Sequence, residues 1–505
     1  MNPAEQPSFS RFRVLFSTRV LAWICAAVLV CGSLPLYIIS FYNHPYYDDY
    51  GFSTPIRAAI VKSGDFSAVW AAAIKNSRFI RDTWQGTYTG TFLSNLQPGV
   101  FSESLYFFST FLLLTAFLLA FGFFFHQVFR RLLNLSSHET VILISLVLTL
   151  MVQFMPDPGE AFFWFNGGIG NTFIYSLLAL SFGLCISLEK SRSPLSSGLL
   201  VLALSLLMVM LGGGSYGGGI FGLLLFAGLT LWAFSKKNRW KWAYLWLSAL
   251  FFACFLYSVT APGNNVRSIY IPFQSSAPKA ILQSLYHGVA LIGSYIRLPL
   301  IGVTALLVPF FAVAAPKTNF SFRHPWLVLL VGGCLFCTQL APPLYGVFSI
   351  GGGRIVNTYY QSFVVLWFLY AFYLTGFFLR KREREFLPLS PPNQQRLVFF
   401  CICLIFVGCM GYKQPGQVLS GPQNMAGCSA ALSLINGEAS AYHREMLARE
   451  TLLKDESITH VVLHPLSTVP SVFMKDLLAE DAPYDVTSPL RLYYRKESVV
   501  VEGER

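Results

Sequence analysis

Along this chain the apolar positions gather into long runs, with polar residues confined to the breaks, and the runs lack the every-second-residue alternation of barrel strands. They fall at Val20–Phe41, Ser104–Phe125, Glu139–Met155, Asn171–Leu188, Ser196–Leu211, Gly217–Phe234, Trp242–Thr260, Pro299–Ala315, Trp326–Ala341, Asn357–Leu379 and Leu397–Tyr412. Crossing a hydrocarbon layer of about 30 Å takes about 20 apolar residues in a helix, because inside lipid every backbone N–H and C=O must be satisfied within the chain. The pattern therefore predicts an all-α polytopic protein of about 11 transmembrane helices. The first run follows Arg11, Arg13 and Arg19, as a secretory signal would. It is too long and has no small-residue cleavage site after it, so it is expected to stay as an uncleaved helix.

Composition agrees: 54% of residues are hydrophobic and only 12% charged, where a soluble chain carries roughly a quarter. The charges are also uneven. With the N-terminus in the cytoplasm, the loops on that side hold Arg130/Arg131, Lys190/Arg192, Lys236/Lys237/Arg239/Lys241, Lys317/Arg323 and Arg380-Lys381-Arg382-Glu383-Arg384, which is the basic bias of cytoplasmic loops. The net charge of +12 is then a topology signal with some attraction to anionic lipid, and no nucleic-acid partner is needed to explain it.

An odd number of spans divides the chain into a transmembrane unit, residues 1–412, and a C-terminal unit, residues 413–505, on the outer side. The tail has a different character: Ala439–Lys454 has helical spacing and many charges, while His460–His464, Leu490–Tyr494 and Ser498–Val501 look like short strands, so a small α/β extracytoplasmic domain is expected. Only Cys428 lies in it, which excludes a disulfide framework there. Cys334 and Cys337 form a C-x-x-C inside an apolar run, where they read as small packing residues.

Unusual polar residues collect in the loops assigned to the outside. The first, residues 43–103, opens with Asn43-His44-Pro45-Tyr46-Tyr47-Asp48-Asp49-Tyr50 at the end of the first helix. Adjacent carboxylates at a membrane boundary carry desolvation and mutual repulsion, so one of the pair has reason for a raised pKa and service as a general base. A solvated turn or helix cap explains the same residues without function. Farther on, Arg78-Phe79-Ile80-Arg81-Asp82-Thr83-Trp84-Gln85-Gly86-Thr87-Tyr88 mixes charge and aromatics on an expected interfacial helix. The second outer loop carries Asp157, Glu160, Trp164 and Asn166. Arg267, Arg297 and Arg354 are outer-side cations: Arg297 sits in an apolar stretch, where snorkelling competes with function, and Arg354 follows Gly351-Gly352-Gly353. Gly212-Gly213-Gly214-Ser215-Tyr216-Gly217-Gly218-Gly219 reads as a tight turn between two helices.

An acidic pair just after the first helix, a long amphipathic first outer loop, many spans and an outer C-terminal domain resemble the GT-C superfamily of membrane glycosyltransferases. The likeness is greatest to bacterial polyprenyl-phosphate-sugar-dependent enzymes of the serotype-converting, O-antigen-modifying kind. It rests on Asp48-Asp49-Tyr50, Trp84-Gln85-Gly86-x-Tyr88, Ala261-Pro262-Gly263-Asn264-Asn265-x-Arg267 and Gly353-Arg354. The resemblance implies an inverting transfer at the outer face of a bacterial inner membrane, from a polyprenyl-phosphate sugar to a glycan or lipid acceptor. In it Asp48 or Asp49 is the base, and Arg267, Arg297 and Arg354 are candidates for the donor phosphate. His44, Tyr50, Trp84, Tyr88, Asp157, Glu160, Trp164, Asn166 and Asn264 are candidates for the sugar or acceptor. No His/Cys ligand spacing is present; a shared hard ion, Mg²⁺ or Mn²⁺, would fall to carboxylates such as Asp49 and Glu160. A polysaccharide polymerase and a lipid-linked sugar flippase are the rivals. A flippase should show paired halves with matching interrupted helices, and none is apparent.

Overall fold

The fold is seen in a computed structural model that describes residues 18–271, 275–318, 320–381, 391–414, 419–477 and 487–502. Arg11 and Arg13, and Arg382, Glu383 and Arg384 of the last basic loop, lie outside the described residues. The chain opens with α1 (Thr18–Ile39), followed by the first-loop helices α2 (Asp48–Ser63), α3 (Phe66–Thr83) and α4 (Tyr88–Ser94). The bundle continues through α5 (Phe108–His126), α6 (Ser137–Gln153), α7 (Phe165–Ile169), α8 (Thr172–Lys190), α9 (Pro194–Gly212), α10 (Tyr216–Ser235) and α11 (Lys241–Val259). It closes with α12 (Pro262–Tyr270), α13 (Ala277–Tyr295), α14 (Leu298–Ala314), α15 (Pro325–Thr338), α16 (Ala341–Val347), α17 (Gly353–Lys381) and α18 (Pro391–Met410).

Among the described residues, nine helical stretches are long and apolar enough to cross a membrane, and they coincide with nine of the expected runs. The other two runs, Glu139–Met155 and Leu397–Tyr412, fall on α6 and α18, whose apolar helical parts are shorter. The chain is thus a helical, multi-pass membrane protein. Helix starts follow their caps: Ser136 and Glu139 form a capping box at α6, and the Ser193 and Ser215 side chains accept backbone N–H groups at α9 and α10. The glycine run does make the tight α9–α10 turn, and Gly213 is required there because any Cβ would run into the Tyr88 ring.

Three apolar cores hold these elements. The largest joins α1, α5, α6, α14 and α17 around residues such as Leu36, Phe117, Met151, Phe311 and Val364. A second lies among α8, α9, α10 and α11 around Tyr175, Met208, Phe226 and Phe251. The third positions the site: Tyr50, Ile56, Val69 and Ala73 of α2 and α3 pack with Leu453, Val461, Leu490, Tyr493 and Val499 of the tail, so the first loop and the C-terminal elements share one interior.

That tail comprises α19 (Ala426–Ile435), α20 (Glu438–Lys454), β1 (His460–Leu463), α21 (Ser488–Tyr494) and β2 (Ser498–Val501). Strands β1 and β2 pair in parallel, His460 opposite Ser498. One expectation fails here: Leu490–Tyr494 is helical, not a strand. Parallel partners need a crossover that returns the chain to the same edge, and Pro489 near the start of α21 supplies the fixed φ of a helix beginning.

Candidate functional site

The acidic pair sits on the first turn of α2, just after a backbone kink at Tyr47, whose φ of +31° is a costly conformation for a bulky residue. The kink sends the two carboxylates into different surroundings. Asp49 is wholly buried, with 0% exposure. Its Oδ2 accepts the Tyr46 N–H at 2.9 Å and the Tyr106 hydroxyl at 2.5 Å. Its Oδ1 accepts the Asn166 N–H at 3.1 Å and the Asn166 side-chain amide at 2.8 Å. The Tyr106 oxygen accepts the Phe165 N–H at 3.1 Å in turn, so one carboxylate ties the first loop to α5 and the second loop. Burial pushes the Asp49 carboxyl up to about 7 against the pull of these bonds, and the adjacent Asp48 charge adds to the rise.

Asp48 is half-buried, and among the described residues no side chain or backbone group hydrogen-bonds its carboxylate. Burial raises its pKa, the positive charges of Arg354 and Arg267 oppose the rise, and Glu160 reinforces it. The structure thus separates an anchored acid, Asp49, from Asp48, whose carboxylate no described group hydrogen-bonds and which lies in the field of two arginines.

The second loop is clamped to the start of α17. Asp157 and Asn357 exchange hydrogen bonds, the Asp157 N–H to Asn357 Oδ1 at 2.9 Å and the Asn357 amide to the Asp157 carbonyl at 2.7 Å. Glu160 accepts the Arg354 backbone N–H at 2.7 Å, where a carboxylate complements the positive end of the helix. Gly353 permits this approach, since a Cβ there would collide with the Asp157 carboxylate. With its own backbone so fixed, Arg354 lays its guanidinium 4.8 Å from the centre of the Trp164 ring. Trp164 meets Tyr46 edge-on at 5.7 Å, and its indole N–H and the Asn166 Oδ1 are buried without a partner among the described residues. Burial and then Glu160 push Asp157 up to about 6, while Lys475 of the tail lowers it.

Lys475 belongs to a tail segment whose Phe473 packs on Phe163 with ring centres 5.2 Å apart. A small cavity of about 40 Å³ lies beside it, lined by His44, Tyr46, Tyr442, Glu450, Lys475 and Asp476. Tyr46 lies between this cavity and the carboxylates: its phenol feels the charges of Glu160, Asp476 and Asp48.

Sequence candidates are therefore divided. Asp48, Asp49, Asp157, Glu160, Trp164, Asn166 and Arg354 come together. Arg267 reaches the group electrostatically, with its guanidinium 5.2 Å from the Trp84 ring centre and a bond to Gln85 at 3.2 Å. Arg297 stands apart from them: its guanidinium donates to the carbonyls of Ser294 and Lys413 at 3.0 and 2.7 Å and lies over Tyr412, tying α14 to the end of α18. Tyr88 donates to the Val209 carbonyl at 2.6 Å, and Asn264 pairs with Tyr216 at 2.6 Å and with the backbone of Gly86, which ties α12 to the first loop. Tyr50 is buried against Tyr493 and Tyr494, and His44 pairs with His443 at 2.8 Å.

The expected metal pair does not fit its surroundings. Asp49 is surrounded by N–H and O–H donors that fill its lone pairs, one Glu160 oxygen is taken by the Arg354 amide, and no cluster of three or more His, Cys, Asp or Glu ligands occurs among the described residues. The residues that sequence reasoning missed are Tyr106, Asn357, Tyr46 and Lys475. A tyrosine near the head of one apolar run and an asparagine opening another were the available signals for the first two. No family model, curated protein or solved structure matches this chain.

Proposed function

We propose that the chain is an inverting, GT-C-type glycosyltransferase that moves a sugar from a polyprenyl-phosphate donor to a hydroxyl of a glycan or lipid acceptor at the outer face of a bacterial inner membrane. The observation that carries this is Asp48, a carboxylate that no group among the described residues hydrogen-bonds, raised in pKa by burial and lying in the field of Arg354 and Arg267. Asp48 takes the proton of the acceptor hydroxyl as its oxygen attacks the anomeric carbon. The bond from that carbon to the phosphate oxygen breaks on the opposite face, and the departing phosphate meets the arginine charge. The Trp164 N–H and the Asn166 carbonyl oxygen, without partners among the described residues, are the polar groups left for a sugar. Asp49 is a positioning residue in this scheme. The basic loops at the opposite end of the bundle support a cytoplasmic N-terminus, with the C-terminal elements outside.

Transfer from a panel of polyprenyl-phosphate sugars to membrane glycolipids tests the proposal. Asp48→Asn should lower the rate by about 10²–10⁴ with folding unchanged. Parental activity in a well-folded Asp48→Asn protein would exclude this base.

A further inference from the structure

A second polar feature lies on the flank of the first loop, away from the carboxylates. Between α3, α4 and the end of α11 runs a groove of about 220 Å³ that shares no lining residue with the cavity beside Tyr46. Its walls are apolar: Ile74 on α3, Phe92 and Tyr88 on α4, and Tyr257 on α11. Tyr257 is half exposed on a helix long and apolar enough to cross the membrane, and Trp70 extends the wall by packing on Phe92 at 5.0 Å. Exposed aromatic and aliphatic side chains on such a helix face lipid rather than water.

Two arginines, Arg78 and Arg81, line the same groove. The Arg81 guanidinium lies 3.9 Å from the centre of the Tyr257 ring, donates to the Tyr257 carbonyl at 3.3 Å and has Asp82, largely exposed, 3.6 Å away. Its Nε–H is buried and has no acceptor among the described residues. Arg78, one turn earlier, is exposed, and no carboxylate lies within ion-pair distance of it among the described residues. Two guanidinium groups against a single carboxylate leave net positive charge over an apolar trough. That combination suits an amphiphile whose anionic head accepts from the arginines while its hydrocarbon chain lies along Phe92 and Tyr257. A free phosphate would leave the apolar wall without a purpose.

We infer that this groove is a lipid-phosphate site, filled by a membrane lipid whose phosphate sits on Arg78 and Arg81 and whose chain follows the α4–α11 trough. The inference needs only a bilayer and does not depend on glycosyl transfer. Two sources share this chemistry, an anionic phospholipid of the surrounding leaflet and a polyprenyl phosphate, and the experiment separates them. Native mass spectrometry of the full chain, released from detergent after titration with phosphatidylglycerol, phosphatidylcholine or polyprenyl monophosphate, counts retained lipid. Anionic lipid should be retained in preference to phosphatidylcholine. Retention should fall about tenfold in Arg78→Gln and at least as far in Arg78→Gln/Arg81→Gln. Because Arg81 also ties α3 to α11, Ile74→Asn provides a second test from the chain side and should weaken retention with both arginines intact. The occupant is an anionic phospholipid of the surrounding leaflet, because the trough lies on the lipid-facing side of α11: loss of phosphatidylglycerol retention in the variants supports it, and loss confined to polyprenyl monophosphate overturns it. Parental retention of both anionic lipids in folded Arg78→Gln and Ile74→Asn proteins would overturn the site.

Discussion

Removing a single oxygen, in Tyr106→Phe, tests what anchors the acidic pair. The hydroxyl donates to Asp49 at 2.5 Å and accepts the Phe165 N–H at 3.1 Å, and Asp49 and Phe165 are 0% and 3% exposed. The ring stays, so packing is kept. The loss comprises one hydrogen bond to a charged group, about 1.5–3 kcal/mol, and one buried amide left without an acceptor, about 1–3 kcal/mol, for a total of about 2.5–6 kcal/mol. Tyr37→Phe serves as a control, because its hydroxyl only meets Thr115 at 2.9 Å in a half-buried setting and should cost about 1 kcal/mol. The effect should also depend on pH. Asp49 titrates near 7 in the folded protein, so at pH 8 the hydroxyl serves a carboxylate and at pH 5 a neutral acid, and the cost of Tyr106→Phe should be smaller at pH 5. Unfolding in mixed micelles at the two pH values measures both quantities. A Tyr106→Phe protein no less stable than Tyr37→Phe, or equally destabilised at both pH values, would refute the anchoring role of Asp49.

Two further outcomes follow from the site. Arg354→Gln removes the guanidinium but keeps the backbone N–H that holds Glu160, so it should weaken binding of polyprenyl-phosphate sugar about tenfold or more without unfolding; unchanged binding would remove Arg354 from the phosphate site. Burial and the neighbouring His443 hold His44 down to about 4, below the usual 6.5, with Glu450 opposing. A histidine depressed in the folded state favours that state above pH 6.5 and loses its contribution, about 3 kcal/mol, as the pH falls toward 4. The protection factors of the Glu438–Lys454 amides, with exchange corrected for its intrinsic pH dependence, should therefore fall between pH 6.5 and 4.5, and His44→Phe should flatten that fall; constant protection in the parent would contradict it.

The spans were legible because each hydrophobic run is its own evidence: lipid imposes the requirement residue by residue. The Asp48-Asp49 pair was legible too, as charge placed where it is costly. Its division into an anchored acid and one that no described group hydrogen-bonds was not, because that depends on Tyr106 and Asn166, which lie 57 and 117 residues from Asp49 in sequence. Arg297 shows the converse. Its apolar neighbours marked it as unusual, but two backbone carbonyls from separate elements satisfy it, and only the tertiary structure brings them there. The strand expected at Leu490–Tyr494 failed because a short run of leucines and tyrosines fits either period, and topology decided between them.

The interior shared by the first loop and the tail sets a timetable for biogenesis. Glu103 and Tyr494, which meet at 2.7 Å beside that interior, are separated by 391 residues. Synthesis proceeds at about 5–20 residues per second, so α2 and α3 wait tens of seconds after they are made with Tyr50, Ile56 and Val69 lacking their partners. During that interval the nascent loop presents an apolar face that its partners do not yet cover. A ribosome that stops short of α21 leaves that face open for good, which makes the codons for α21 and β2 a checkpoint for α2 and α3.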